Sequence, residues 1–190
     1  MILENLTIKK IEDVISSIKP CDHTEKQDIR DALAWIKSGI SIFRIQKPNI
    51  PNKHLASYFV LFDEQNHKIL LVDHKKAGLW LPAGGHVEIN EDPKETVRRE
   101  CLEELGINAD FYFPDPIFLT LNLISPQPSE HIDVNLWYVL KGNSNILYEF
   151  DQTEFNTVDW FNLDSIVYEK SEKNMKRFID KLKKQLKNKD

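Results

Sequence analysis

Glu100, Glu103 and Glu104 recur at i, i+3, i+4 within one short segment, GHVEINEDPKETVRRECLEELGI (Gly85–Ile107). On a helix those positions share a face, where like charges destabilise the segment unless a cation stands among them. Arg99 is adjacent and can pair with one carboxylate, whereas no lysine falls within the trio. A solvated acidic face explains amphipathicity but not this crowding. Hard oxygen ligands on one rigid face suit Mg²⁺ or Mn²⁺, ions held by a few carboxylates together with substrate phosphates. Immediately upstream, PAGG (Pro82–Gly85) supplies glycines that let backbone approach a metal or phosphate closely. The chemistry to expect is divalent-metal handling of a phosphate.

A helix must present those carboxylates. Glu91, Asp92 and Pro93 form a favourable helix start, with acids at the positive end of the dipole and proline in the first turn. Gly106 is the natural stop. Between them Val97, Cys101 and Leu105 make an apolar stripe, with Leu102 beside it, on a different flank from the glutamates.

Around this helix the chain reads as mixed α/β. Two helices open it, the first over 3–18, ended by Pro20. The second begins at a capping-box pattern, Thr24-x-x-Gln27, and ends at Gly39. KPNIPNK then marks a linker, so residues 1–50 are expected to be an N-terminal helical extension and 51–190 the main domain. The extension is expected to pack on the sheet, cap the cleft or make a homodimer contact. HLASYFVLF (54–62) and KILLV (68–72) flank a hairpin turn, DEQNH. IFLTLNLIS (117–125), HIDVNLWYVL (131–140) and TVDWF (157–161) are further strands, and an amphipathic helix over 171–186 closes the chain. In HIDVNLWYVL, the face carrying Ile132, Val134, Leu136, Tyr138 and Leu140 is core. The face carrying His131, Asp133, Asn135, Trp137 and Val139 is either solvated or lines a polar cleft.

With 41% hydrophobic and 29% charged residues, the 190-residue chain has the composition of an ordinary soluble globular protein. A net charge of −5 argues against a general binder of nucleic-acid polymers or anionic membranes, though a bound cation can invert the local sign. The start lacks a signal-peptide layout and no apolar run reaches membrane-spanning length. Cys21 and Cys101 match no zinc spacing, and a reduced, buried Cys101 fits a cytoplasmic location.

The segment from Gly85 to Ile107 resembles the Nudix box, G-x5-E-x7-R-E-U-x-E-E-x-G-U, where U is a bulky aliphatic residue. Gly85, Glu91, Arg99, Glu100, Glu103, Glu104, Gly106 and Ile107 all fit, and Cys101 is a small residue at a U position. The flanking LWLPAGGHVE is also similar to the family's approach to the box, and the resemblance spans about 54–161. It implies a Nudix-type α/β/α sandwich with a mixed sheet, hydrolysing a nucleoside diphosphate linked to another moiety with Mg²⁺ or Mn²⁺. By that resemblance Glu100 and Glu104 bind metal, Glu103 assists directly or through water, and the Gly84 carbonyl is a further ligand. Arg99, together with Glu91, orients the glutamates. The base is either Glu100 or a glutamate on a later loop, here Glu154 in DQTEFNTVDWF. No signature of the family's ADP-ribose, dinucleoside-polyphosphate, NADH or coenzyme A classes is found, which leaves nucleoside triphosphates and nucleotide sugars.

Substrate contacts rest on residue type alone. Arg44, Lys75, Lys76 and His86 are candidates for phosphates. His131 and Asp133, with Thr120 and Asn122, are candidates for cleft lining. Trp80 and Trp137 either stack on a base or belong to the core. Tyr58 and Phe59 are expected in the core.

Overall fold

The computed structural model describes residues 2–46, 50–124 and 130–189. Part of the expected linker (47–49) and the end of the third expected strand (Ser125) lie outside them. Two helices, α1 (Ile2–Ser17) and α2 (His23–Lys37), precede β1 (Lys53–Asp63), β2 (Lys68–His74), β3 (Leu79–Leu81) and β4 (Ala83–His86). Then come α3 (Pro93–Leu105), β5 (Phe118–Ile124), β6 (His131–Lys141), β7 (Phe155–Asn162) and α4 (Met175–Lys187).

Seven strands among the described residues form one mixed sheet with β1 at its centre. The N-terminal half of β1 pairs antiparallel with β4, its C-terminal end with β2, and its whole other edge runs parallel to β6. Helices cover both faces. Ile11 and Ile15 of α1, Ile29 and Ile36 of α2, and Val97, Cys101 and Leu105 of α3 share one core with Leu55, Phe59, Val134 and Tyr138. On the opposite face Met175, Phe178, Ile179 and Leu182 of α4 pack on Val60, Phe62, Trp137 and Val139. The result is an α/β/α sandwich whose N-terminal helices share the core of the sheet. No helix among the described residues is long and apolar enough to cross a membrane.

Several local expectations are corrected. The cap of α2 is Asp22, not Thr24. Its side chain accepts from Glu25 N at 2.7 Å, while the Glu25 carboxylate accepts from Cys21 N at 2.7 Å. The reciprocal pairing thus sits two residues earlier, which also brings Glu25 under α4. The glycines of PAGG fall within strand β4 (Ala83–His86), which they permit because it lies flat against β1. Both faces of β6 are buried along its second half, so Trp137 and Val139 are core beneath α4 rather than solvated or cleft-lining. Leu102, expected beside the packing stripe, is 55% exposed. The closing helix begins at Met175 rather than 171, and β7 begins at Phe155. Both cysteines are free, with Cys101 buried and Cys21 exposed.

Candidate active site

Helix α3 is fastened at both ends. Asp92 caps its first turn by accepting from Lys94 N at 2.9 Å, and Pro93 stands in that turn. Gly106 closes it at φ 66, in the left-handed region. The Ser57 hydroxyl on β1 donates to the Pro93 carbonyl at 3.0 Å, locking the helix start to the sheet. The glutamate face is thereby held over β4.

Glu104 is buried, and one of its oxygens accepts from Gly84 N at 2.8 Å. Burial first, then the charge of Glu100, pushes its carboxyl up to about 9, against the pull of that N–H. Burial likewise raises Glu100, with Arg99 opposing. Arg99 is the hub. Its Nε and Nη2 clasp both oxygens of Glu91 at 3.0 and 3.1 Å, and its Nη1 meets Glu100 at 2.6 Å. Nη1 also reaches Glu103 at 3.4 Å, and Nη2 donates to the His86 carbonyl at 3.2 Å. Glu91 is itself held by the Thr96 hydroxyl and Glu88 N.

Two glycines make this packing possible. A Cβ on Gly84, whose φ is +136, would lie 2.1 Å from the Ser57 carbonyl oxygen. A Cβ on Gly85 would lie 2.0 Å from Glu100 Oε1. The donor set of Glu100, Glu103, Glu104 and the Gly84 carbonyl fits Mg²⁺ or Mn²⁺. All are hard oxygens, Glu104 is buried with Glu100 half-buried near it, and the Arg99 guanidinium is already shared among several acceptors.

A cleft of about 1200 Å³ opens over this face. Arg44, His86, Asp133 and Glu154 line it together with Gly84, Arg99, Glu100, Glu103 and Glu104. The loop carrying Glu154 is pinned to the site: Asp151 N donates to the Glu104 carbonyl at 2.9 Å, and Lys75 N to the Glu154 carbonyl at 3.0 Å. Glu154 adds its charge to the push on Glu100 and Glu104. Lys76 lines the cleft, whereas the Lys75 ammonium donates to the Gln152 carbonyl. Tyr58 packs against the core beneath α4, meeting Trp137 edge-on, and also lines the cleft. Trp137 itself is fully buried, its Nε1 donating to Thr120, so it offers no stacking face. Trp80 packs on Phe161. Asn122 is also withdrawn, bonded to Glu172 and Asn174.

His131 turns toward Asp133 beside the cleft, and it does so in company. The Nε2 atoms of His54, His131 and His86 lie 3.0, 3.3 and 3.4 Å from Asp133 Oδ1. Burial alone would raise the Asp133 carboxyl, but the His54 and His86 imidazoles overcome it and hold it below the usual carboxylate range. His54 is the member that sequence reading missed. Its signal was present, since it shares the Asp133 face once β1 and β6 are parallel neighbours in register, His54 opposite Asp133.

The family model for the NUDIX domain matches residues 52–182, most of the chain, and the chain belongs to the Nudix family. Human nucleoside diphosphate-linked moiety X motif 6 is 31% identical over 98 residues, covering 50% of this chain and 30% of that protein. The m7GpppN-mRNA hydrolase of Saccharomyces cerevisiae is 27% identical over 165 residues, covering 77% of this chain and 16% of its own length. This chain therefore spans less than a third of either relative. Among solved structures, a Nudix-family hydrolase from Clostridium perfringens is 25% identical with a TM-score of 0.53, covering 68% of this chain and 96% of that one. The MutT protein of Methanosarcina mazei, 21% identical with a TM-score of 0.55, shares the fold.

Proposed function

We propose that the protein is a Mg²⁺- or Mn²⁺-dependent pyrophosphohydrolase acting on a nucleoside diphosphate linked to another moiety, with a nucleoside triphosphate or nucleotide sugar as substrate. The observation that carries this reading is that Glu104 accepts from Gly84 N, Glu100 abuts Gly85, and Glu103 lines the same cleft beside them. In this reading Glu100, Glu104 and the Gly84 carbonyl hold the ion, and Glu103 reaches it from the rim directly or through water. The ion would neutralise charge on the bridging phosphate oxygens and make an attacking water more acidic. Arg99, clasped by Glu91, keeps Glu100 aimed at the cleft. Glu154 takes the proton of the water that attacks phosphorus; Glu100, tied to Arg99, is the less free of the two bases. Arg44 and Lys76 supply cationic contacts for the substrate phosphates. Free thiols suit a cytoplasmic setting.

The test is a panel of nucleoside triphosphates, nucleotide sugars and capped RNA, assayed with Mg²⁺ or Mn²⁺ for release of phosphate, pyrophosphate or nucleoside monophosphate. Capped RNA is included because the yeast relative carries that activity in its name. Glu104→Gln should lower turnover by at least about 100-fold. No release from any member of the panel, or a Gln variant as active as wild type, would sink the reading.

A further inference from the structure

We propose that His54, His86, His131 and Asp133 form a second, transition-metal site of the Zn²⁺ class at the junction of β1, β4 and β6, with a donor set distinct from the α3 carboxylates. Strand register assembles it. His54 stands opposite Asp133 in the parallel β1–β6 pair, and Ala56, two residues along β1, stands opposite His86 of β4. His131 lies two residues before Asp133, hence on the same face.

The distances match an ion's shell. Tetrahedral Zn²⁺ with bonds of about 2.1 Å places its donor atoms about 3.4 Å apart. The three imidazole nitrogens lie 3.0, 3.3 and 3.4 Å from Asp133 Oδ1. All four donor atoms fall within 4.8 Å of one another. The widest pair needs to close by at most about 1.4 Å, shared between two side chains, to reach that shell.

Hydrogen bonding leaves part of the cluster unsatisfied. His54 Nδ1 must donate to the Pro51 carbonyl, 3.0 Å away, because a carbonyl can only accept. In the neutral ring the opposite nitrogen, Nε2, therefore presents a bare lone pair to the Asp133 oxygen, a contact that only a proton or a metal ion between them makes attractive. His54 Nε2, His86 Nε2 and Asp133 Oδ1 are all buried with no hydrogen-bond partner, close in distance but not aligned. Each such orphan costs about 1–3 kcal/mol. A cation among them converts every one into a ligand, and the Pro51 carbonyl becomes the outer partner that fixes the ring of a metal-bound histidine. Three imidazoles select Zn²⁺, Cu²⁺, Ni²⁺ or Fe²⁺ rather than Mg²⁺, and four protein donors make a closed, structural site.

Such an ion would rivet three strands at the wall of the cleft. Three neutral imidazoles and one carboxylate leave the complex with one net positive charge beside Arg44, on the side where phosphates would enter. It would also brace the His86 main chain, whose carbonyl receives Arg99.

The experiment loads the full chain with equimolar Zn²⁺, dialyses it against metal-free buffer containing excess Mg²⁺, and measures zinc by mass spectrometry. Wild type and Glu104→Gln should each retain about one zinc per chain, and His54→Gln and Asp133→Asn should lose it. Co²⁺ in place of Zn²⁺ should give the strong visible absorption of a tetrahedral centre, a readout that needs no variant. If His54→Gln fails to fold by circular dichroism, His86→Gln, at a partly exposed position, serves instead. Negligible zinc in wild type with a featureless Co²⁺ spectrum would overturn the proposal. So would zinc lost from Glu104→Gln but kept by the histidine variants. Hydrolysis with Mg²⁺ is scored separately, so either site can fail alone.

Discussion

Adjacent glycines in β4 should respond to the same substitution in opposite ways. In Gly85→Ala the new Cβ would stand 2.0 Å from Glu100 Oε1 and 2.5 Å from its carboxyl carbon. Non-bonded heavy atoms need about 3.5 Å, so the carboxylate must retreat by about 1.5 Å. The obstacle is the far end of a flexible side chain, so the fold absorbs it. The loss is chiefly the 2.6 Å bond from Arg99 Nη1, which contributes little more than about 1 kcal/mol to stability for a part-exposed group. Function has no such latitude, since a misplacement of about 1 Å can cost about 100-fold in rate. In Gly84→Ala the Cβ would meet the Ser57 carbonyl oxygen at 2.1 Å and the Tyr58 Cα at 3.0 Å, at a φ of +136. Backbone in the middle of β1 cannot step aside. Overpacking and left-handed strain together cost about 2–5 kcal/mol, which lowers the melting midpoint on the order of 10 °C.

The assay pairs thermal melting with Mg²⁺-dependent hydrolysis of the best substrate from the panel. Gly85→Ala should melt near wild type yet turn over about 100-fold more slowly, a barrier increase of about 2.7 kcal/mol. Gly84→Ala should melt early. If Gly85→Ala stays within about threefold of wild-type turnover, the carboxylate at Glu100 is not position-critical and the argument fails. Equal destabilisation by both variants would also refute it, because the two clashes would then not differ in kind.

Lys181→Met should destabilise the fold by about 3–5 kcal/mol in urea titration, since it strands a buried carboxylate. Glu25 is fully buried, accepting from Lys181 Nζ at 2.5 Å and from Leu119 N at 3.2 Å, and a loss below about 1 kcal/mol would show the pair to be dispensable. Asp63 gives a pH signature. Burial raises its carboxyl, but bonds from Asn66 and Ser144 outweigh this and hold it below the ordinary range. A depressed folded value means stability present above the unfolded pKa of about 4 and lost as pH falls below it. Wild type should therefore lose melting temperature between about pH 5 and 3 by more than Asp63→Asn, and parallel curves would contradict this.

What was legible in the sequence was whatever a local period encodes. Val97, Cys101 and Leu105 fix which side of α3 packs, so the side bearing Glu100 and Glu104 follows from the 3.6-residue repeat alone. Arg99 and Glu91 were readable because the box spacing links them. Strand β4 was not, because AGGH carries no alternation and its place depends on lying flat against β1. The cap of α2 slipped because Asp22-x-x-Glu25 and Thr24-x-x-Gln27 are equally good local patterns. Only the tertiary partners of Glu25, namely Lys181 and Leu119 N, distinguish them.

His54 shows the deeper limit. A period of two assigns a residue to a face but says nothing about which strand lies alongside or in what register. His131 and Asp133 were placed on a polar face from β6 alone, and their use was left open between solvent and cleft. The parallel pairing that sets His54 opposite Asp133, and the antiparallel pairing that sets His86 beside Ala56, are both non-local. One residue of slip in either would send a histidine to the opposite face, where α1, α2 and α3 pack. The carboxylate site survives such a slip because one helix carries most of it. The histidine site exists only if three strands register together, so metal retention there would test the sheet's pairing and its chemistry at once.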